Sequence, residues 1–389
     1  MNEIEKKIIY KDKDKFINET IKKYGNIVEK KPRTNIIHNI LFYQNGSKKF
    51  INKNLERILT EESKYQKYIP SLSFGKANIH WGQRKLLLSE IEFLTKFIPK
   101  YPNIDLIIYV GAANGLHIPF LSELFPKFSF ILIDPAEFCE NVYNMKNTEV
   151  IQKFMNINQA KEFRKKYKKK YFFISDIRVS VEEEEIMKDM KDQETWIKIM
   201  KPKASIIKFR LPWDNNPEKP NEDKIFEYID GDIYFPVWGC KATTECRLMI
   251  EIPEKQKIKT KFYNYEKYEG QCNYFKIYTR QQYYPYSIIN EKLKNLKSLG
   301  LCHCYDCVSE VKILYDCLNF MNILSSSRNI ETLIKDISNS ISFKPTNLWS
   351  YYVFNRKEIY CYIMYNYEEH LEKLSKILDE KTKRICGIF

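Results

Sequence analysis

The apolar positions of this chain change period along its length, and the changes mark out its elements. From Gln83 to Phe97, Leu86, Leu87, Ile91, Leu94 and Phe97 recur at helical spacing, which predicts an amphipathic helix. Leu106 to Val110 is instead a continuous apolar run with β-branched residues. It ends in Gly111-Ala-Ala-Asn-Gly115 and leads into a helical stretch reaching Phe125. Further apolar runs lie at Phe130–Ile133, Val150–Phe154, Tyr171–Ile174, Ser205–Phe209 and Leu248–Ile250, with helical segments between several of them. Alternating strands and helices predict an α/β fold, a mostly parallel sheet covered on both faces. Right-handed crossovers bring the strand C-terminal ends to one edge, where open sheets of this kind bind ligands, so site residues are expected there.

The flanks read differently. Residues 1–75 are polar and rich in Lys and Asn, with an apolar patch at Ile36–Tyr43 and helical periodicity around Leu55–Tyr68. Beyond about Ser287, Leu293, Leu296, Val311, Leu314, Leu318 and Met321, then Leu371, Leu374 and Leu378, recur as in helices. The expected division is an N-terminal polar extension (1–75), an α/β domain (76–287) and a mainly helical C-terminal extension (288–389).

Composition adds less. The 389 residues are 44% hydrophobic and 29% charged, a globular profile, and no run of about 18 apolar residues is present to span a bilayer. Met1–Asp14 lacks the apolar stretch of a secretory signal, so the protein is expected not to be secreted. The ten cysteines follow no extracellular spacing, which points to a reducing compartment. A net charge of +14 suits a polyanion such as RNA, whose phosphates release counterions on neutralisation, but an AT-rich genome that over-uses Lys codons explains it equally well.

Two groups of residues carry candidate chemistry. Gly111 and Gly115 follow a buried strand and let backbone approach a ligand, while Asp134 ends the next strand, where an acid accepts hydrogen bonds from ribose hydroxyls. The full dinucleotide pattern is absent, so an adenosyl ligand fits better than a pyrophosphate; a turn serving packing alone is the plain alternative. The second group is Lys85, Asp176, Lys208 and Glu245, charges placed beside or within apolar runs. Buried unpaired ions cost several kcal/mol, so these four are expected to meet, either as structural salt bridges at the sheet rim or as a catalytic group.

Two further clusters remain open. Lys165, Lys166, Lys168, Lys169 and Lys170 read as a solvated helix end or as an RNA-backbone contact. Cys302, Cys304 and Cys307, with Cys317 or His303, have the donors for a tetrahedral zinc, against the alternative of buried thiols.

The collinear stretches Gln83-Arg-Lys85-Leu-Leu-Leu-Ser-Glu90, Gly111-Ala-Ala-Asn-Gly115-Leu-His117, Leu-Ile-Asp134, Ser-Asp176-Ile-Arg178, Lys208-Phe-Arg-Leu-Pro-Trp213 and Glu245-Cys-Arg-Leu resemble the poxvirus-type cap-specific mRNA (nucleoside-2′-O)-methyltransferase and poly(A) polymerase regulatory subunit family of large DNA viruses, over about residues 65–290. The chain differs at Asn114, where the family has Pro, and at Ala136, where the poxvirus protein has Arg. The resemblance implies a Rossmann-like methyltransferase fold using S-adenosyl-L-methionine, held by Gln83, Gly111, Ala112, Gly115, His117, Asp134, Phe154, Met155, Asp176 and Arg178. It implies Lys85, Asp176, Lys208 and Glu245 as catalytic residues, and Tyr68, Trp213, Asp214 and Arg210 as cap or RNA contacts. Tyr65 competes with Tyr68 for the N-terminal aromatic, and Glu222 with Asp214 for the ring N–H groups of the base. Capped mRNA and a poly(A) polymerase catalytic subunit are the implied partners, with no membrane, in the host cytoplasm or the virion.

The implied chemistry suits these residue types. A ribose 2′-OH attacks a methyl in line only if its proton is removed while both reactants are aligned, and Lys208 is the candidate base, oriented by Asp176 and Glu245 with Lys85 as a neighbouring like charge. The sulfonium already activates the methyl, so no metal is expected. Trp213 fits core packing in general, but a cationic 7-methylguanine gains from an aromatic face. The rival readings are a non-catalytic RNA-binding subunit of a poly(A) polymerase, and a 2′-O-methyltransferase of uncapped RNA such as the heat-shock-type ribosomal enzymes.

Overall fold

The computed structural model describes residues 54–67, 82–168, 170–211, 224–239, 243–252, 257–281, 284–286, 289, 304–321 and 329–341. The expectations at Ile36–Tyr43, Tyr68, Lys169, Trp213, Asp214, Glu222, Leu293, Leu296, Cys302, His303, Leu371, Leu374 and Leu378 lie outside these residues.

The described chain runs β1 (Ile58–Leu59), α1 (Gly82–Phe97), β2 (Leu106–Val110), α2 (Ile118–Leu124), β3 (Ser129–Ile133), α3 (Glu140–Tyr143), β4 (Thr148–Ile151) and α4 (Ile157–Tyr167). It continues with β5 (Phe172–Ser175), α5 (Glu183–Met200), β6 (Ala204–Phe209), β7 (Ile225–Ile229), β8 (Asp232–Tyr234) and β9 (Cys246–Glu251). Then come β10 (Thr260–Asn264), α6 (Tyr265–Ile277), α7 (Tyr305–Phe320) and α8 (Ile330–Ile341). Eight strands form one sheet in the order β4-β3-β2-β5-β6-β9-β8-β1, and β7 and β10 form a separate antiparallel ribbon. β2 to β6 are parallel, and β9, β8 and β1 add on antiparallel. This is the Rossmann-like α/β arrangement. The chain moves outward from β2 to β4 and returns through β5 on the other side, so the crevice between the ends of β2 and β5 is the switch point where such sheets hold ligands.

The sequence explains the burial. β5 and β6 are buried along their whole lengths, as strands covered on both faces must be, and their residues are apolar runs rather than alternating ones. α1 packs against α2, α7 and α8, while α4 packs against α5. Phe93, Phe97, Phe128 and Phe172 fill the space between α1 and the sheet. Among the described residues no helix is long and apolar enough to cross a membrane.

Two expectations change, and three strands were not foreseen. The run expected as a strand from Val150 to Phe154 is a strand only over Thr148–Ile151; Gln152 and Lys153 break it, and Phe154 stands 68% exposed beyond the strand end. The helical periodicity around Leu55–Tyr68 does not produce a helix over 54–67, where two residues pair with β8 at the sheet edge instead. β7, β8 and β10 were not legible as apolar runs because their solvent-facing positions, such as Glu227, Asp232 and Lys261, interrupt them.

Segments on both sides of the boundaries drawn at 75 and 287 join one hydrophobic core. Arg57 is buried beside β1, and its Nε and Nη2 donate to the two Glu92 oxygens at 3.0 and 2.6 Å. Its Nη1 donates to the Phe235 carbonyl and to Tyr305 Oη, each at 2.7 Å. One guanidinium thereby joins the N-terminal segment, α1, the chain after β8 and α7. Burial disfavours its charge, but Glu92 and Tyr305 outweigh this and raise its pKa above the ordinary arginine value. Arg57→Ala leaves Glu92 without its counter-charge and should cost about 3–5 kcal/mol, read from the urea unfolding midpoint. Lys267→Ala, whose pair with Glu61 stands in solvent, should leave that midpoint nearly unchanged.

Candidate active site

Strand register builds the site. Val110, Ile133, Ser175 and Ile207 form one row across β2, β3, β5 and β6. One step further along the chain are Gly111, Asp134, Asp176 and Lys208, so the glycine turn and three charges come to the C-terminal edge together. Opposite Lys208 on β9 stands Arg247. Like charges directly opposed in a sheet repel. Asp176 relieves this by standing between them, with Oδ1 3.2 Å from Lys208 Nζ and 2.7 Å from Arg247 Nη2.

Glu245 closes the group. Its Oε1 accepts from Lys85 Nζ at 2.5 Å and from Arg247 Nη1 at 2.9 Å, and its Oε2 is 3.9 Å from Lys208 Nζ. Lys85 reaches it from the first turn of α1, across 160 residues of sequence. All four sequence-predicted charges therefore meet, joined by Arg247, in a group whose side chains are largely withdrawn from solvent. Arg247 was missed, although it interrupts the apolar strand Cys246–Glu251 and lies two residues from Glu245, on the same side of the chain.

The electrostatics follow from burial and from three cations facing two carboxylates. Burial pushes the Lys85 ammonium below the ordinary lysine range, against the pull of Glu245. Burial would raise the Asp176 carboxyl, but Lys208, Arg247 and Lys85 outweigh it and hold the group low. The same contest at Glu245, dominated by Lys85 and Lys208, leaves its carboxyl well below the ordinary range. Burial lowers Arg247, and Asp176 and Glu245 more than reverse that. With every group ionised the cluster carries one cation in excess, so loss of a single lysine proton balances it.

The turn beside this cluster fits an adenosyl ligand. Gly111 has φ +79°, and a Cβ there would meet Ile177 N at 2.7 Å, so only glycine lets the turn lie against the chain that carries Asp176. Asp134 Oδ2 accepts from Ala113 N at 3.1 Å and Oδ1 from Ala136 N at 2.9 Å. Each oxygen accepts one bond here and has a second lone pair to offer ribose hydroxyls. Met155 is buried and Phe154 exposed just past β4, two apolar side chains at the same edge.

Other predicted residues are placed as follows. Ala112 is buried in the turn. His117 is inside the protein, with Nδ1 2.7 Å from Gln83 Oε1 and Nε2 2.9 Å from Glu90 Oε1, and Tyr109 Oη donates to the same Glu90 oxygen at 2.7 Å. Gln83 and His117 thus tie α1 to the turn. Arg178 Nη1 donates to Asp189 at 3.3 Å, and Arg210 pairs with Glu183. Tyr65 Oη donates to Glu266 at 2.9 Å, and its ring lies over Gly270, where a Cβ would collide with it.

The cysteine cluster divides. Cys304 Sγ accepts the Cys307 N–H at 3.5 Å as the cap of α7, whereas Cys317 lies ten residues beyond Cys307 on that helix, about 15 Å along its axis. Cys307 and Cys317 therefore cannot share one tetrahedral ion. Among the described residues no group of three metal-donor side chains forms.

Residues 51–341 match the family described as the poly(A) polymerase regulatory subunit. Over 180 residues the chain is 33% identical to the cap-specific mRNA (nucleoside-2′-O-)-methyltransferase of fowlpox virus (strain NVSL), covering 43% of this chain and 57% of that protein. Over 146 residues it is 29% identical to the protein of the same name from myxoma virus (strain Lausanne), covering 34% of this chain and 43% of the relative. The chain spans about half the length of the curated relatives it matches.

Because the Asp176 and Glu245 carboxyls lie below their ordinary values, their contribution to stability is full above those values and is lost as pH falls through the lowered ones. Urea unfolding from about pH 6 down to about pH 3 should show stability falling below the ordinary glutamate value of 4.5. In Glu245→Gln that fall should be shallower, whatever the absolute stability of the variant. An equal slope would place the pH dependence elsewhere.

Proposed function

Because the chain belongs to the poly(A) polymerase regulatory subunit family, we propose that it transfers a methyl group from S-adenosyl-L-methionine to the ribose 2′-OH at the capped 5′ end of mRNA. The observation that carries this reading is the closure of Lys85, Asp176, Lys208 and Glu245, with Arg247, into one cluster beside the Gly111 turn and Asp134. The names of the fowlpox and myxoma relatives support the reaction and its substrate.

When bound, S-adenosyl-L-methionine supplies an electrophilic methyl on a sulfonium. The chain's own work is then to bind, to align and to remove one proton. Asp134 accepts the ribose hydroxyls of the adenosyl group, and Phe154 and Met155 offer apolar surface to its base. Lys208 is the general base: its contacts of 3.2 and 3.9 Å are looser than the 2.5 Å pair of Lys85, so its amine is the one able to turn to a substrate hydroxyl. Asp176 and Glu245 orient it, and Lys85 and Arg247 hold those carboxylates ionised. Trp213 stacks on 7-methylguanine, with Tyr68, Asp214 and Arg210 completing the cap and RNA contacts. The family description also supports a second role, as partner of a poly(A) polymerase catalytic subunit; the host cytoplasm or the virion is the place we propose for both roles.

Methyl transfer to m7G-capped RNA, and none to uncapped RNA, is the expected assay result; equal transfer to both removes the cap from the function. Lys208→Ala should lower kcat by about 100- to 10,000-fold while S-adenosyl-L-methionine affinity by calorimetry stays near wild type. Trp213→Ala should abolish the preference for m7GpppG over GpppG in fluorescence titration and leave the salt dependence of RNA binding unaltered, since that arises at phosphates.

A further inference from the structure

Beside the charge cluster, two carboxylates of α7, the helix that packs on α1, are buried against polar partners. Asp306 and Glu310 are four residues apart and so share one face of that helix, and they are 1% and 0% exposed. Glu310 takes Arg84 with both oxygens, at 2.5 Å from Nη2 and 3.0 Å from Nε, and accepts Trp238 Nε1 at 2.6 Å. Asp306 accepts the Trp238 backbone N–H at 2.8 Å and Arg280 Nε at 2.8 Å. Trp238 itself is fully buried with φ +58°, a backbone conformation that a bulky residue keeps only where its surroundings hold it.

Two of these partners, Arg84 and Arg280, adjoin the charge cluster. Arg84 immediately precedes Lys85 in the first turn of α1. Arg280 lines a cleft together with Thr243, Thr244 and Glu245. Glu310 thus holds the chain neighbour of Lys85, and Asp306 holds an arginine that lines one cleft with Glu245. Buried ion pairs are weak contributors to stability, since apolar replacements are often neutral, whereas a bidentate guanidinium–carboxylate pair such as Arg84–Glu310 adds geometric specificity. A displacement of about 1 Å in such a site costs up to about 100-fold in rate.

We propose that α7 is the positioning element of the active site, with Glu310 and Asp306 as positioning residues that set the Lys85–Glu245 pair through Arg84 and through Trp238 and Arg280. This rests on the methyltransferase reading and gives the C-terminal region a role in it. The full chain is compared with Glu310→Gln and with Arg84→Met/Glu310→Gln, which removes both charges of that ion pair together and keeps an acceptor for Trp238. Each is assayed well below its own Tm. The expected result is that the double variant recovers the Tm lost by Glu310→Gln, while kcat stays about ten- to a hundredfold low and KM for both substrates changes little. A readout free of activity is the Lys85 ammonium resonance in lysine side-chain NMR, identified by its loss in Lys85→Arg, which should shift or broaden in both variants. If kcat returns with Tm, the role of α7 is stability alone and the proposal is overturned. If the wild-type chain transfers no methyl group, the activity reading fails, and the resonance then decides: movement supports positioning, and an unchanged signal overturns it.

Discussion

Five charges held together at the edge of an apolar sheet constrain the rest of this structure. Lys85, Lys208 and Arg247 oppose Asp176 and Glu245, and none of the five is more than 16% exposed at its side chain. Each alone would be costly to withdraw from water, and the group is tolerable only because all its members arrive at one place. They come from α1, the ends of β5 and β6, and the start of β9. The parallel register of β2, β5 and β6, the antiparallel return of β9 and the seating of α1 on the sheet must therefore all be met at once.

A second layer of buried charge shows how α1 is seated. Arg57 with Glu92, Arg84 with Glu310, and Arg280 with Asp306 are buried or largely buried and join the N-terminal segment, α1 and α7. Apolar packing by Phe93, Phe97 and Phe172 holds the helix to the sheet but is non-directional. The pairs of Arg57 and Arg84 are bidentate and so directional, and they fix how far along and around its axis the helix sits. The labour is divided: bulk adhesion comes from the core, and the placement of the helix that carries Lys85 comes from geometry-specific bonds.

The glycine turn adds a steric condition. Gly111 admits the backbone of residues 176 and 177 to a distance that any side chain would block. The glycine turn and the charge cluster are thereby held at a fixed separation.

The sequence by itself determined the α/β class, most parallel strands, the glycine turn, Asp134 and the four charges, because each is a local signal: a period, a strand end, or a charge interrupting an apolar run. It also carried the family resemblance that the match over residues 51–341 bears out. Tertiary structure alone decided the remainder. Arg247 joined the cluster through cross-strand pairing, and residues 54–67 gave up helical periodicity for an edge strand. His117 turned to Gln83 and Glu90 inside the protein. Arg84 and Glu310 found each other across 226 residues. No local pattern distinguishes a charge that will be buried against a distant partner from one that will face water. That distinction is made only when the elements pack, because the partner supplies the free energy that makes burial tolerable.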